Sequence, residues 1–169
     1  AGRERGLLPF FKALVDMQPT HDMPIETENG YWVDILRRLS STVRPGSLVF
    51  LLSDFHGLPK QAEQSFARLS AHNDVISILV FDPIEAIAPP PDRYPLSDGQ
   101  HFAVLDTRDA AVADAYHTQF VSRRDAVRAL CHRHGGHFLS LATHQPLPET
   151  LRRELMVHHR RPGARVTRP

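Results

Sequence analysis

The sequence predicts an α/β fold that contains part of a doubly wound parallel sheet. Three segments, SLVFLLS, VISILVF and HFLSLA, are largely apolar without alternation, which is typical of parallel strands buried on both faces. A helical pattern between the first two segments completes a βαβ unit, whose crossover we expect to be right-handed. Open sheets of this class usually have about five or six strands, so we expect the chain to be the C-terminal part of a larger α/β domain.

Local patterns predict each element in order. Apolar residues three or four positions apart predict helices, and Asp98-Gly99 supplies the positive φ that a tight hairpin turn needs. The predicted elements are helices over Leu7–Met17 and Trp32–Val43, a strand over Ser47–Ser53, a short helix around Ala62–Leu69, a strand over Val75–Phe81, a stiff loop over Asp82–Asp92, a β-hairpin of Arg93–Leu96 with His101–Leu105, a long helix over Asp109–His134 with Val112, Tyr116, Phe120, Val127 and Leu130 inward, a strand over His137–Ala142 and a final helix begun by Pro148.

Composition excludes several classes of protein. The 169 residues suffice for one domain, and a net charge of +1 creates no global field for nucleic acid. One cysteine, Cys131, excludes a disulfide scaffold and fits a reducing compartment. No apolar run reaches the ~20 residues of a membrane helix and no signal peptide opens the chain, so we expect a cytoplasmic segment without direct membrane insertion. We expect residues 1–157 to form the α/β portion and 158–169 to form a flexible basic tail, which lacks the aromatic residues that stack on bases.

Polar residues follow the three predicted strands. They are Ser53 and Asp54 after the first, Asp82 and Glu85 after the second, and Thr143 and His144 after the third. Ligands of open α/β sheets bind beyond the carboxyl ends of the strands. Carboxylates that leave neighbouring strands could hold Mg²⁺, which takes few protein oxygens and several waters. The structural alternative is that Asp54 caps a turn and Asp82 belongs to a turn with Pro83.

Other chemistry has less support. The soft-metal ligand types Cys131, His132, His134 and His137 lie close in sequence, but residues two apart on a helix do not share a face and no second cysteine exists. The chain contains no G-x-S-x-G elbow, no P-loop and no G-x-G-x-x-G. We therefore expect neither a zinc site nor nucleophilic catalysis.

Several segments together resemble a known family. They are RPGSLVFLLSDF (Arg44–Phe55), HNDVISILVFDPIE (His72–Glu85), VLDT (Val104–Thr107) and a late strand with Thr143 behind it. In this order they resemble the C-terminal half of the bacterial domain-of-unknown-function 58 (DUF58) family, which consists of von Willebrand factor A-like domains encoded beside MoxR-type AAA+ ATPases. The resemblance spans roughly residues 44–155.

The resemblance implies a doubly wound sheet with a metal-ion-dependent adhesion site built from three loops. The first loop, Asp-x-Ser-x-Ser, is absent from this chain. Thr27 is a loose positional match to the threonine of the second loop, and Asp54 matches the aspartate of the third. Asp54 alone should bind Mg²⁺ weakly, so Mg²⁺ is expected in the full-length protein rather than tightly bound by this chain.

The function implied by the resemblance is a non-enzymatic protein-interaction module. Such a module would bind a protein partner, a MoxR-type AAA+ ATPase, and assist it in complex assembly or maturation. The alternative left open is an Mg²⁺-dependent hydrolase that uses Asp54, Asp82 and Glu85. We also expect the Ser47–Ser53 strand to present an unpaired apolar edge, because the opening strand that neighbours it in A-domains is missing. Such an edge recruits another chain, so a homodimer is predicted.

Overall fold

The protein folds around a small parallel sheet. A computed structural model describes residues 9, 11–13, 15–16, 31–97, 99 and 101–159, with side chains as far as residue 153. The described residues between 9 and 16 are helical, as their periodicity predicts. The later helices are α1 Tyr31–Thr42, α2 Ala62–His72, the one-turn α3 Pro83–Ala86, α4 Ala110–Arg133 and α5 Leu147–His159, and the strands are β1 Leu48–Ser53, β2 Asp74–Phe81, β3 Arg93–Ser97, β4 Phe102–Asp106 and β5 His137–Ala142.

Strands β1, β2 and β5 form a parallel sheet with β2 in the centre. The predicted direction of the three apolar segments is therefore confirmed. Ser53 of β1 pairs with Leu79 of β2, and Ala142 of β5 pairs with Phe81 of β2. Because the strands run the same way, their carboxyl ends lie at one edge of the sheet. Strands β3 and β4 form a separate antiparallel hairpin, also as predicted.

The main core lies on the face of the sheet that α1, α2 and α4 cover. The sheet contributes Val49 and Leu51 from β1, and the apolar stripe of each helix packs against it. The buried helical residues are Leu36 of α1, Ala62, Phe66 and Leu69 of α2, and Phe120, Val127 and Cys131 of α4. The other residues expected inward on α4, Val112, Tyr116 and Leu130, are half-buried.

The opposite face of the sheet is covered over β2 and β5 but not over β1. Ile76, Ile78 and Leu139 are buried there, with Leu151 of α5 packed against them. On β1, by contrast, Leu48, Phe50 and Leu52 are 57%, 47% and 64% exposed. The expectation that this strand is buried on both faces is therefore wrong. Among the described residues, helices pack against β1 on one face only, so the strand's side chains alternate between buried and exposed.

Capping residues at both ends of α4 determine where the helix begins and ends. The Asp109 side chain accepts a hydrogen bond from the Ala111 N–H at 2.9 Å and caps the first turn. At the other end Gly135 adopts a φ of 73°, and the Gly136 N–H donates to the Cys131 carbonyl at 2.8 Å. This is a Schellman motif, which satisfies carbonyls that the last turn would leave unpaired.

Two boundaries differ from prediction. The segment expected to be a stiff loop contains α3, because Asp82 and Glu85 form a capping box around Pro83. Helix α5 continues to His159, two residues into the predicted tail, and residues 160–169 lie outside the described part of the chain. No helix within the described residues combines the length and apolar character that crossing a membrane requires.

Candidate functional site

A tight turn follows β1 at the carboxyl edge of the sheet. The Ser53 hydroxyl accepts a hydrogen bond from the Phe55 N–H at 3.0 Å, and Asp54 Oδ1 accepts one from the His56 N–H at 3.0 Å. These bonds hold Phe55 at a φ of 51°, a left-handed conformation that is unusual for a bulky residue. Asp54 is exposed at the surface but already engaged in its own turn, as the structural alternative predicts.

Helix α1 clamps this turn from the side. The Trp32 ring stacks on the Phe55 ring, with centroids 5.3 Å apart and planes inclined by 10°. Trp32 Nε1 also donates to the His56 carbonyl at 2.9 Å. Phe55 is buried, so the strained residue is anchored by packing and its neighbour by a hydrogen bond. The turn is therefore held by packing and by a hydrogen bond from α1.

The second strand end is organised by Asp82 and Glu85. Asp82 Oδ1 accepts from the Ile84 N–H, and Glu85 Oε1 accepts from the Asp82 N–H. The hydroxyl of Thr143, which follows β5, donates to Asp82 Oδ2 at 3.1 Å and joins the ends of the two strands. Both carboxylates thus serve to begin α3, and Asp82 also binds the loop after β5.

Arg123 of α4 connects this region to the helix layer. Its Nη2 donates to Glu85 Oε2 at 2.8 Å, and its guanidinium carbon lies 5.6 Å from the centroid of the Phe120 ring. Arg123 Nε is buried without a hydrogen-bond partner. A buried donor without a partner costs free energy, so this guanidinium retains unused hydrogen-bonding capacity.

A groove of about 500 Å³ lies between the loop after β1 and helix α4. Residues 55–60 and Glu63 form one wall. The other wall consists of the α4 residues Gln119, Arg123, Ala126, Val127, Ala129, Leu130 and Arg133. Smaller depressions extend it at both ends, one beside Glu85 and Tyr116 and the other beside Gln64 and His134. The groove therefore runs along much of the length of α4.

The charges around the groove are mostly positive. Glu63 forms an ion pair with Arg133 and a hydrogen bond with His134, whose Nε2 lies 3.0 Å from its carboxylate. Hydrogen bonds from His134 and then from Arg133 hold the pKa of Glu63 below its ordinary value, so this carboxylate stays ionised and compensates its neighbours. Lys60 is exposed at the same end. No ion pair is found for Lys60 within the described residues.

The structure brings together only some of the predicted site residues. Asp82 and Thr143 are in contact, and Glu85 shares their capping box. Asp54 belongs to a different turn, and Thr27 lies outside the described residues. Across the part of the chain that is described, no group of three or more histidine, cysteine or acidic residues could hold a metal ion. The donor set present here does not by itself fit Mg²⁺, which needs converging oxygens.

Sequence reasoning missed the groove itself. Gln119, Arg123, Ala126, Leu130 and Arg133 recur at intervals of three or four residues along α4. This spacing places them on one helical face, beside the core face. Ala126 and Ala129 are the feature of the sequence that could have indicated the groove. Small exposed residues between long polar ones leave room along a helix.

Comparisons with known proteins agree with the resemblance seen in the sequence. The family described as Protein of unknown function DUF58 matches residues 5–126. No curated protein and no solved structure gave a match to the chain. The matched region ends within α4, and it includes the Ser53–Asp54–Phe55 turn and the capping box of α3. This match covers well over half of the sequence, and the chain belongs to the DUF58 family.

Proposed function

We propose that this chain is a non-enzymatic protein-interaction module of a von Willebrand factor A-like protein in the cytoplasm. Its partner would be a MoxR-type AAA+ ATPase, which it would assist in complex assembly or maturation. The observation that carries the proposal is the preformed groove between the Phe55–Lys60 loop and α4, next to the carboxyl edge of the sheet. Ligands of open α/β sheets bind at this edge.

The roles of the carboxylates favour binding over catalysis. The hydrolase alternative requires Asp54, Asp82 and Glu85 to converge on one metal ion. Asp54 instead accepts hydrogen bonds within its own turn, while Asp82 and Glu85 form the capping box of α3. A carboxylate that accepts backbone hydrogen bonds has fewer lone pairs left for a metal. The same side chains therefore support a structural role at the groove's rim.

The adhesion-type metal site is proposed only for the full-length protein. Asp54 is the candidate ligand in this chain, and it is exposed at the carboxyl edge where the resemblance implies the site. Further oxygen ligands would have to come from elsewhere, because the sequence lacks an Asp-x-Ser-x-Ser loop. Asp54 would then help to orient the partner and would take no part in a reaction.

A second copy of the chain is the partner we propose for β1. Within the described residues β1 pairs with β2 alone, and its exposed face carries Leu48, Phe50 and Leu52. Strand β5 also has one neighbour, but Phe138 and Leu139 are buried on its two faces. An open backbone edge beside exposed apolar side chains is the feature that favours strand pairing, and two identical edges can pair around a twofold axis.

Binding measurements and an activity screen test the proposal together. We expect the chain to retain a MoxR-type AAA+ ATPase in a pull-down with purified proteins, and to show no Mg²⁺-dependent hydrolysis of phosphate esters, peptides or nucleotides. A hydrolytic activity that Asp82→Asn abolishes would establish the enzymatic alternative. Absence of ATPase binding by a folded full-length protein would remove the proposed partner.

A further inference from the structure

We propose that the groove between the Phe55–Lys60 loop and α4 binds an extended segment of a partner protein that carries an apolar side chain flanked by carboxylates. The proposal rests on the function proposed above, and it states which surface is used and what chemistry the surface recognises.

The dimensions of the groove suit a short extended peptide. Its α4 wall extends from Gln119 to Arg133. At 1.5 Å per residue this distance is about 21 Å. An extended chain rises about 3.3 Å per residue, so about six residues would fill the groove. Because the groove is open at both ends toward neighbouring depressions, the segment could continue in either direction.

The middle of the groove is apolar and has room for a side chain. Leu58 and Leu130 are half-buried, and Val127 beneath them is buried. Ala126 and Ala129 are exposed and small, so they leave space where longer side chains would fill it. An apolar side chain bound there would bury area on both partners, which stabilises association.

Charge selects the flanking residues of the segment. Arg123 and His56 lie at one end of the groove, and Lys60 and Arg133 lie at the other. Glu63 compensates the charge of Arg133, and Glu85 pairs with Nη2 of Arg123. Lys60 is exposed and remains as the donor that an acidic segment would engage, since complementary charge favours a negative partner.

The start of the loop wall is held by contacts with Trp32 of α1, which favours binding. Trp32 fixes Phe55 by stacking and His56 by a hydrogen bond. A preformed surface avoids the conformational entropy that ordering a loop on binding would cost. The left-handed Phe55 begins this wall of the groove.

Peptide titration by NMR tests the proposal. The probe is a blocked hexapeptide with two central leucines flanked by glutamates, added to the ¹⁵N-labelled chain, and its counterpart has glutamines in place of the glutamates. We expect amide shifts at Gly57, Lys60 and Ala126, and about tenfold weaker binding of the glutamine peptide, which corresponds to about 1.4 kcal/mol. Equal affinity for both peptides, shifts elsewhere, or no shifts at millimolar peptide would overturn the proposal.

Matched variants separate the groove from general surface effects. Lys60→Glu should weaken the glutamate peptide about tenfold, whereas Lys12→Glu, a reversal of an exposed lysine outside the groove, should not. Ala126→Trp should fill the groove and abolish binding, whereas Thr118→Trp, at an exposed position of α4 that does not line the groove, should leave binding unchanged. Unchanged peptide affinity in Lys60→Glu overturns the proposal even if Ala126→Trp fails to fold.

The pull-down with the ATPase distinguishes this proposal from the broader one. If Lys60→Glu binds the ATPase as tightly as the unaltered chain, the interaction function stands and the groove is not its surface. If the peptide binds in the groove while the ATPase does not bind, the groove recognises acidic segments and the proposed partner is wrong.

Discussion

The ring of Trp32 at the start of α1 lies parallel to the ring of Phe55 after β1, with centroids 5.3 Å apart. The two residues are far apart in sequence, and the contact joins α1 to the loop that lines the groove. Because Trp32 Nε1 also donates to the His56 carbonyl, this indole is held by one apolar and one polar contact. Stability and site geometry are therefore coupled through a single side chain.

Replacing this indole should destabilise the fold and loosen the loop. Trp32→Ala removes the stacking and a half-buried ring, and we expect a loss of about 3 kcal/mol in the free energy of unfolding. Trp32→Phe keeps an aromatic ring but loses the donor, which should cost about 1 kcal/mol. Urea denaturation followed by circular dichroism measures both. Equal losses for the two variants would contradict the separate contribution of stacking.

The left-handed glycine after α4 gives a second prediction. Gly135 has a φ of 73° with open space around it, so Gly135→Ala should cost about 1 kcal/mol through backbone strain alone. Gly135→Asn should cost less, since asparagine tolerates this conformation. At Gly136 an added Cβ would lie 3.2 Å from Phe66 Cζ and 3.3 Å from the Val75 carbonyl, so Gly136→Ala acts through packing instead. Thermal unfolding that ranks asparagine below alanine at position 135 would refute the strain argument.

The elements that the sequence predicted well depend on neighbouring residues. Strand β5 follows from an apolar run, and the hairpin follows from two short extended runs around Asp98-Gly99. The two ends of α4 follow from Asp109 and from Gly135-Gly136. Each of these signals acts within a few positions along the chain. Burial of β1 could not be predicted in the same way. A continuous apolar run indicates that a strand could be buried on both faces. Whether a helix covers Phe50 depends on the rest of the fold.

The candidate site was only partly predictable for the same reason. Rules for parallel sheets placed Asp82 and Thr143 at one edge, and the two residues are in contact there. The groove instead forms between the loop that carries Lys60 and the face of α4 that carries Arg123 and Arg133, more than sixty positions later in the chain. Only the packing of α4 across the sheet creates that proximity, and no local pattern encodes it.

Magnesium should have little effect on this chain. Asp54 is one exposed carboxylate that already accepts a hydrogen bond from the His56 N–H. A ligand present at its dissociation constant stabilises a fold by about 0.4 kcal/mol, which is about 1 °C in melting temperature for a chain of this size. We therefore expect millimolar Mg²⁺ to shift the melting temperature by no more than this, in the unaltered chain and in Asp54→Asn alike. A rise of several degrees that Asp54→Asn abolishes would reveal a complete metal site.

The hairpin contains a carboxylate, Asp106, whose pKa lies well below its ordinary value. Hydrogen bonds from Arg108 lower the pKa of Asp106 from 3.8 to about 2. Because the folded-state pKa is depressed, the stabilising contribution is present above the unfolded value and is lost as pH falls through about 2. Carbonyl NMR of Asp106 should show a midpoint near that pH, and Arg108→Ala should raise it toward 3.8. Arg93→Ala should raise it less, since the Arg93 guanidinium lies 3.7 Å away. An unshifted midpoint in Arg108→Ala would contradict this cause.

Self-association through β1 should depend on Phe50. This residue is 47% exposed beside an open backbone edge, and lysine at such positions is a common means by which proteins prevent strand pairing. We expect sedimentation analysis to show a concentration-dependent dimer for the unaltered chain and a monomer for Phe50→Lys, with little change in urea stability. Phe102→Lys is the matched control, because Phe102 is 85% exposed on the separate hairpin and should leave the dimer intact. A clean monomer of the unaltered chain at high concentration, or dimers that persist in Phe50→Lys, would exclude β1 as the contact. If both variants became monomeric, surface apolar area in general would drive association, and the open edge of the sheet would not be its cause.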